Sequence, residues 1–117
     1  MAIDATLGAG IMTAAFRSED EAQRITLVFS GRLDTAAAMN LQDAVLARIH
    51  AVAPGQILRF DLGAVEFVAS SFLRLCIQAT RALGNERFEL ARPTPLVREV
   101  FTMAGLDQHL RIVDPGA

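Results

Sequence analysis

The chain contains no Lys, Trp or Tyr and a single Cys among its 117 residues. With only Cys76, an internal disulfide is excluded and no second thiol is present for a metal site, which favours a reducing compartment. No apolar run approaches the roughly 20 residues that a membrane-spanning helix needs. The start of the chain carries Asp4 and no early Lys or Arg, unlike a secretion signal. We therefore expect a cytoplasmic protein that does not insert into a membrane.

A large excess of charge of either sign is also missing. The 11 basic residues, all Arg, face 13 acidic ones, which gives a net charge of -2. Such a chain offers no broad positive field to a nucleic-acid backbone, so we predict no nucleic-acid partner. Apolar residues make up 52% of the sequence and charged residues 21%, values typical of a chain that folds alone. Its length fits one domain with one core.

The hydrophobic pattern divides the chain into strands and helices. Alternating apolar residues predict strands at 11–16 and 25–30, and the polar run at 18–21 predicts the turn of an antiparallel hairpin between them. The later elements are a helix from 34 to 53 capped by Asp34, strands at 56–62, 87–91 and 110–113, a helix at 70–83, and a helix that begins with Thr94 and Pro95. Residues 1–10 are expected to be loosely ordered, 11–113 to form the domain, and 114–117 to be a tail.

Two strands followed by three helix–strand alternations define the predicted fold class. Parallel neighbouring strands need a crossover helix between them, and this order supplies one each time. We therefore predict a single α/β domain with a mixed, mainly parallel sheet of about five strands, an antiparallel N-terminal hairpin and three main helices. No repeat or linker divides it.

The residues that could take part in catalysis do not form the pattern of a known kind of active site. Ser71 lies at a predicted strand-to-helix turn, where a hydrolase nucleophile would stand, but it has no glycine two residues to either side. The only candidate bases are His50, which is typical of a helix end, and His109, which falls in a loop. There is neither a phosphate-binding glycine loop nor a dinucleotide fingerprint. We predict no catalytic residue.

Metal and cofactor sites are equally unsupported. Cys76 falls on the apolar stripe of its helix, as an inert core thiol does. Four carboxylates that could be considered as metal ligands are spread over different elements: Asp34, Asp43, Asp61 and Glu66. We therefore predict no metal and no cofactor.

The pair Ser70 and Ser71 at a predicted helix start is the most informative feature. One interpretation is simple N-capping, for which serine is a preferred residue. The other is modification, because we expect a hydroxyl on the first turn to point outward, and a phosphate on it would lie at the positive end of the helix dipole. It would add about two negative charges to a surface that we expect to be apolar, which suits an interaction switch.

Three segments carry a recognisable pattern. The first is Gly31, Arg32, Leu33 and Asp34, with Ala38 and Leu41. The second is Phe60, Asp61, Leu62, Val65, Phe67, Val68, Ala69, Ser70, Ser71 and Leu73. The third is Val97, Val100, Phe101, Ala104, Gly105 and Leu106. Together they resemble the STAS domain family, which comprises sulfate transporter and anti-sigma factor antagonist domains, over almost the whole chain.

This resemblance implies a regulatory protein-binding module that is not an enzyme. Its partner would be an anti-sigma factor that is also a serine kinase, with Ser71 as the phosphate acceptor and Ser70 as the second choice. We expect five residues to form the partner-binding surface at one end of the sheet: Asp34, Ser70, Ser71, Phe72 and Arg74.

The sequence departs from the family pattern beside the serine pair. The usual acidic residue before the pair is Ala69, and the usual glycine after it is Phe72. A Ser followed by Phe is also similar to the stressosome scaffold subunit, another phosphorylated STAS protein. Three further functions stay open. The first is an accessory subunit of a membrane transport complex that binds a nucleotide-hydrolysing partner without phosphorylation. The others are a stressosome-like scaffold without a phosphorylation switch and a structural module for homo-oligomerisation.

Overall fold

A computed structural model describes residues 15–114. The predicted loose segment 1–10, the first part of the predicted strand 11–16 and residues 115–117 of the tail lie outside that range. The elements are β1 (Ala15–Asp20), β2 (Arg24–Leu33), α1 (Thr35–His50), β3 (Ile57–Val68), α2 (Ser70–Leu83), β4 (Phe88–Ala91), α3 (Pro95–Met103), a 3₁₀ turn (Leu106–Gln108) and β5 (Ile112–Val113).

The five strands form one sheet in the order β1-β2-β3-β4-β5. β1 pairs with β2 in the antiparallel sense, and every later pair is parallel. A helix lies between each pair of parallel strands, because the chain must return to the end of the sheet at which the first strand began before it can form a parallel neighbour. The predicted fold class is confirmed. Since β2, β3 and β4 run in the same direction, the helices that follow them all start from the carboxyl end of the sheet.

Phenylalanine fills the centre of the core, as a chain without Trp or Tyr requires. The ring centroid of Phe60 lies 4.9 Å from that of Phe29 and 4.8 Å from that of Phe88, both in edge-on geometry. Residues from all three helices join this single cluster, among them Val45 of α1 and Phe101 of α3. Cys76 is buried in it, and burial raises the pKa of its thiol, so it behaves as a core residue.

Two strands are longer than the sequence predicts. The pattern indicates a break at Gly31 and a loop at Gly63, yet β2 continues to Leu33 and β3 to Val68. The pairing of β2 with β3 shifts register between Val28 and Ser30 and again after Gly31. Gly31 has φ 88°, which glycine adopts without strain, so a bulge is accommodated and the ladder continues.

The hairpin turn is also displaced from its predicted position. Residues 18–20, which the sequence assigns to the turn, belong to β1, and the turn lies at residues 21–23. β1 is an edge strand with its last four residues exposed, so polar side chains are tolerated along it. α1 ends at His50 instead of 53, whereas α2 spans 70–83 as predicted. Thr94 caps α3 as predicted, accepting a hydrogen bond from the Val97 amide at 3.3 Å.

A polar cluster fastens the hairpin to α1. Arg48 Nη2 donates to Asp20 Oδ1 at 2.8 Å and to Ser18 Oγ at 2.6 Å, and the Ser18 hydroxyl donates to Asp20. The hydrogen bonds from Ser18 and Arg48 hold the pKa of Asp20 below its ordinary value of 3.8. No helix in residues 15–114 is both long and apolar enough to cross a membrane.

This cluster predicts a component of acid sensitivity. Because folding lowers the pKa of Asp20, its stabilising contribution is present above pH 3.8 and is lost as the pH falls through the lower folded-state value. We expect Asp20→Asn to lose stability less steeply than wild type between about pH 4 and pH 2, measured by urea unfolding at each pH. Glu21→Gln, which removes a carboxylate from the same hairpin, is the control and should keep the wild-type slope. An Asp20→Asn profile parallel to wild type would contradict this assignment.

Candidate functional site

The ends of β2 and β3 lie level with one another and bring two helix starts together. Leu33 is paired with Val68, and the Ala69 amide donates to the Leu33 carbonyl at 2.8 Å. Asp34 is the next residue after Leu33, and Ser70 follows Ala69. α1 and α2 pack against each other beyond this point. Asp34 and the serine pair therefore lie at the same end of the sheet, where we expected them.

Asp34 has a structural role that fixes its position. Its backbone is extended and its Oδ1 accepts a hydrogen bond from the Ala37 amide at 2.9 Å, which makes it the N-cap of α1, as predicted. The residue is exposed to solvent. Its side chain is therefore both held by the helix and accessible to a partner.

The start of α2 is not capped by serine. The cap position is Ala69, which makes no side-chain hydrogen bond to the helix, and Ser70 is the first helical residue. The amides of Phe72 and Leu73 donate to the Ala69 carbonyl, whereas the amides of Ser70 and Ser71 come before the first helical hydrogen bonds. N-capping, which would have explained a serine here without any function, is therefore wrong.

The two hydroxyls differ in accessibility. Ser70 is exposed, but Ser71 Oγ is buried and has no hydrogen-bond partner within residues 15–114. The expectation that the Ser71 hydroxyl points outward is therefore wrong. A buried hydroxyl without a partner costs free energy, and in a native protein such a group calls for an explanation. The structure thus places a small hydroxyl side chain just under the surface, in the first turn of α2.

Phe72 does not belong to the partner-binding surface where the sequence placed it. Its side chain is fully buried, with its ring centroid 5.2 Å from that of Phe29 and 6.0 Å from that of Phe60. The helical repeat explains this, because Phe72 shares a face with Leu75, Cys76 and Ala79, which are also buried. The departure from the usual glycine thus fills the core.

Arg74 and one unpredicted residue complete the exposed part of the site. Arg74 is exposed and lies one helical turn after Ser70, on the same side of α2. Met39 of α1 is a large apolar side chain that is 64% exposed. It falls off the buried stripe of Ala38, Val45 and Ile49, and this pattern was a readable signal in the sequence. We call the residues near the start of α1, Asp34 and Met39, together with those near the start of α2, Ser70, Ser71 and Arg74, the helix-start surface.

This surface is suited to binding and not to acid–base chemistry. His50 is the last residue of α1, and the helix of 16 residues carries it about 24 Å from the start. His109 follows the 3₁₀ turn after α3 and is exposed. Neither histidine is placed by these elements to activate the Ser71 hydroxyl. The arrangement offers an apolar contact, a carboxylate, a guanidinium and helix amides to a partner.

The comparisons with known proteins agree with the fold. The family model described as "Mlab, STAS domain" matches residues 14–114. An anti-sigma factor antagonist from Mycobacterium paratuberculosis is 28% identical, with TM-score 0.75, over 86% of this chain and 85% of that one. An anti-sigma-factor antagonist (STAS) domain protein from Planctomyces limnophilus is 25% identical, with TM-score 0.74, over 83% and 87%. The anti-sigma factor antagonist SpoIIAA in its unphosphorylated form is 24% identical, with TM-score 0.69, over 86% and 87%. No curated protein sequence matches. The chain belongs to the STAS domain family.

Proposed function

We propose that the protein is a regulatory module of the anti-sigma factor antagonist kind, which binds a partner protein through the helix-start surface. Two solved structures that are 28% and 25% identical to it are described as anti-sigma factor antagonists. In this proposal the protein catalyses no reaction. The partner is an anti-sigma factor that is also a serine kinase, and Ser71 is the residue whose phosphorylation ends the interaction.

The burial of Ser71 Oγ without a hydrogen-bond partner carries this proposal. A phosphate is far too large and too strongly charged to occupy the position of that hydroxyl. Phosphorylation at Ser71 would therefore turn the side chain outward, where the early amides of α2 and the helix dipole favour an anion. One covalent change would thus alter the shape and the charge of the helix-start surface together.

The unmodified surface has the features of a protein contact. Met39 offers exposed apolar area near the start of α1, and Asp34 and Arg74 offer opposite charges near the starts of the two helices. Apolar anchors surrounded by polar residues are typical of specific interfaces. A doubly charged phosphate placed among them would have to lose its hydration when the partner binds, which opposes the complex.

We expect a kinase-type anti-sigma factor to transfer one phosphate from ATP to Ser71. Of the two serines, only Ser71 has a buried hydroxyl whose phosphorylation would turn the side chain outward and change the surface. Intact-mass and peptide mass spectrometry of the wild type, Ser70→Ala and Ser71→Ala, each incubated with the kinase, measures this. Ser70→Ala should be modified and Ser71→Ala should not.

The matched serine pair makes that result decisive. Ser70 is exposed and lies one residue earlier on the same turn. If solvent exposure alone decided which serine the kinase modifies, the phosphate would be found on Ser70. Modification of Ser71→Ala at Ser70 would assign the switch to the exposed serine. No phosphate on any of the proteins would remove the phosphorylation switch and leave a binding module.

Binding without phosphorylation is the alternative, and one observation favours it. The residue before the serine pair is Ala69, where the family pattern usually has an acidic residue. In this case the helix-start surface would dock a nucleotide-hydrolysing subunit of a transport complex. Co-purification with such a subunit, unchanged in Ser71→Ala and without any phosphate, would support this function over the first.

A further inference from the structure

The sheet has a second face, opposite the one on which the core is built. Successive strand residues point to opposite faces, so Arg24, Arg59 and Glu89 face away from their buried neighbours Ile25 and Phe60. The helices contribute their buried side chains to the core cluster on the first face. Toward the carboxyl end, the second face remains open, and Ser30 and Ala64 on it are exposed.

Positive charge is concentrated on this second face. Glu89 has a side chain only 5% exposed and is held by Arg59 Nε at 2.6 Å and by Arg111 Nη2 at 2.6 Å. Arg24 Nε lies 3.9 Å from the same carboxylate. Three guanidinium groups thus surround one carboxylate, although the chain as a whole carries a net charge of -2. Glu89 holds the arginines in place and leaves their positive charge in excess.

The donors of this cluster are only partly used. Arg24 Nε is buried and has no hydrogen-bond partner in the part of the chain that the structure describes. The side chains of Arg24 and Arg111 are 38% and 40% exposed, so both present further N–H groups to solvent. Guanidinium groups with such geometry pair well with carboxylates.

A fourth arginine is held on the same face by a strained backbone. Arg92 has φ 56°, a conformation that residues other than glycine rarely adopt. It donates to Asp61 through Nε at 3.2 Å and through Nη2 at 3.0 Å. A Cβ on Gly63 would stand 2.7 Å from Arg92 Nη2, so a larger residue there would displace this guanidinium. Such strain is typical of functional positions.

We propose that this region, the arginine face of Arg24, Arg59, Arg92 and Arg111 with Asp61 and Glu89, binds an acidic segment of a partner protein. Charge complementarity selects this occupant. A second copy of the chain would place arginines opposite arginines, and residues 1–14 contain a single carboxylate, Asp4. The site is separate from the helix-start surface and does not depend on its phosphorylation. It gives the protein a second contact, so that one partner chain can bind at two places or two partners can bind together.

Titration of hexaglutamate labelled with fluorescein, followed by fluorescence anisotropy, tests this site. The wild type should bind the peptide, and the affinity should fall as salt is raised from about 50 mM to about 200 mM, because screening weakens exposed charge pairs. Arg24→Gln/Arg111→Gln should lose at least about tenfold in affinity. Arg81→Gln/Arg98→Gln removes the same charge from two helices and should stay within about twofold.

Two further measurements keep the proposal falsifiable if the double variant folds poorly. Backbone amide shifts of the wild-type protein should move on β2, β3, β4 and β5 when hexaglutamate is added, and shifts confined to the start of α2 would overturn the proposal. So would equal loss of affinity in both double variants, or no binding by the wild type. Tighter binding to oligothymidine or to vesicles containing phosphatidylserine would replace the acidic protein segment by a nucleic acid or a membrane.

Discussion

Ser71→Asp should weaken binding to the partner by at least about tenfold, or roughly 1.4 kcal/mol, while Ser71→Ala should bind almost as well as wild type. The hydroxyl that Ala removes is buried and makes no hydrogen bond in the described residues, so its loss leaves no other group unsatisfied. The carboxylate, in contrast, cannot stay where the hydroxyl was without losing its hydration. It has to move outward, where it adds a negative charge to the helix-start surface.

The fold should survive this change because of its position. The new carboxylate of Ser71→Asp would lie in the first turn of α2, where the helix dipole favours a negative side chain by a few tenths of a kcal/mol. This gain offsets part of the cost of rearranging the turn. Phosphate carries about two charges and should act more strongly than Asp, since a complete switch needs about 5.5 kcal/mol.

Calorimetric titration of each variant into the partner measures the effect, with melting temperatures taken in parallel. Gln78→Glu is the matched control, because it adds the same charge at an exposed position farther along α2. It should bind like wild type. If Ser71→Asp kept wild-type affinity and melting temperature, Ser71 would have no part in the interface.

Phe72→Ala should lower the free energy of unfolding by about 3–5 kcal/mol, the usual cost of removing a buried phenylalanine. Its ring is fully buried and contacts those of Phe29 and Phe60 at the centre of the core. Because side chains in a close-packed core relax only partly into such a space, a cavity should remain. Such a loss is a large share of the roughly 5–15 kcal/mol that holds a typical domain together.

Urea unfolding followed by circular dichroism measures this loss. Phe67→Ala is the control, because Phe67 is only partly buried, on the other face, with the Arg32 guanidinium carbon 4.7 Å from its ring centroid. It should lose much less than Phe72→Ala. Equal losses in the two variants would mean that Phe72 is not a central core residue and would reopen its assignment to the binding surface.

The sequence alone was sufficient for the fold class because the relevant signals are local. Asp34, Thr94 with Pro95, and Gly84 mark helix ends through their own backbone chemistry, and the helices they bound were found close to their predicted places. The alternation of helices and strands then required parallel pairing. Strand ends were less predictable, because Gly31 and Gly63 indicate strand breaks in the sequence. In the structure the pairing of β2 with β3 shifts register there and both strands continue.

The candidate site was predicted in its location and corrected in its details. Asp34 and Ser71 follow two parallel strands, so they lie at the same end of the sheet. The sequence pattern predicts this topology. The burial of Phe72 follows from the helical repeat that it shares with Leu75, Cys76 and Ala79. Whether the Ser71 hydroxyl is covered depends on how the side chains around the start of α2 pack together. Consecutive residues of a helix point in different directions, so a core residue can directly follow a residue at the surface.

The positive charge on the second face of the sheet could not be predicted from the sequence. Arg24, Arg59, Glu89, Arg92 and Arg111 are separated along the chain and sit in four different strands or their flanks, within a chain whose net charge of -2 gave no sign of a positive patch. Sheet register alone makes them neighbours. The sequence thus determined the kinds of elements and their order, through local periodicity and capping, whereas burial at Ser71 and the arginine face arose only when distant strands and helices packed together.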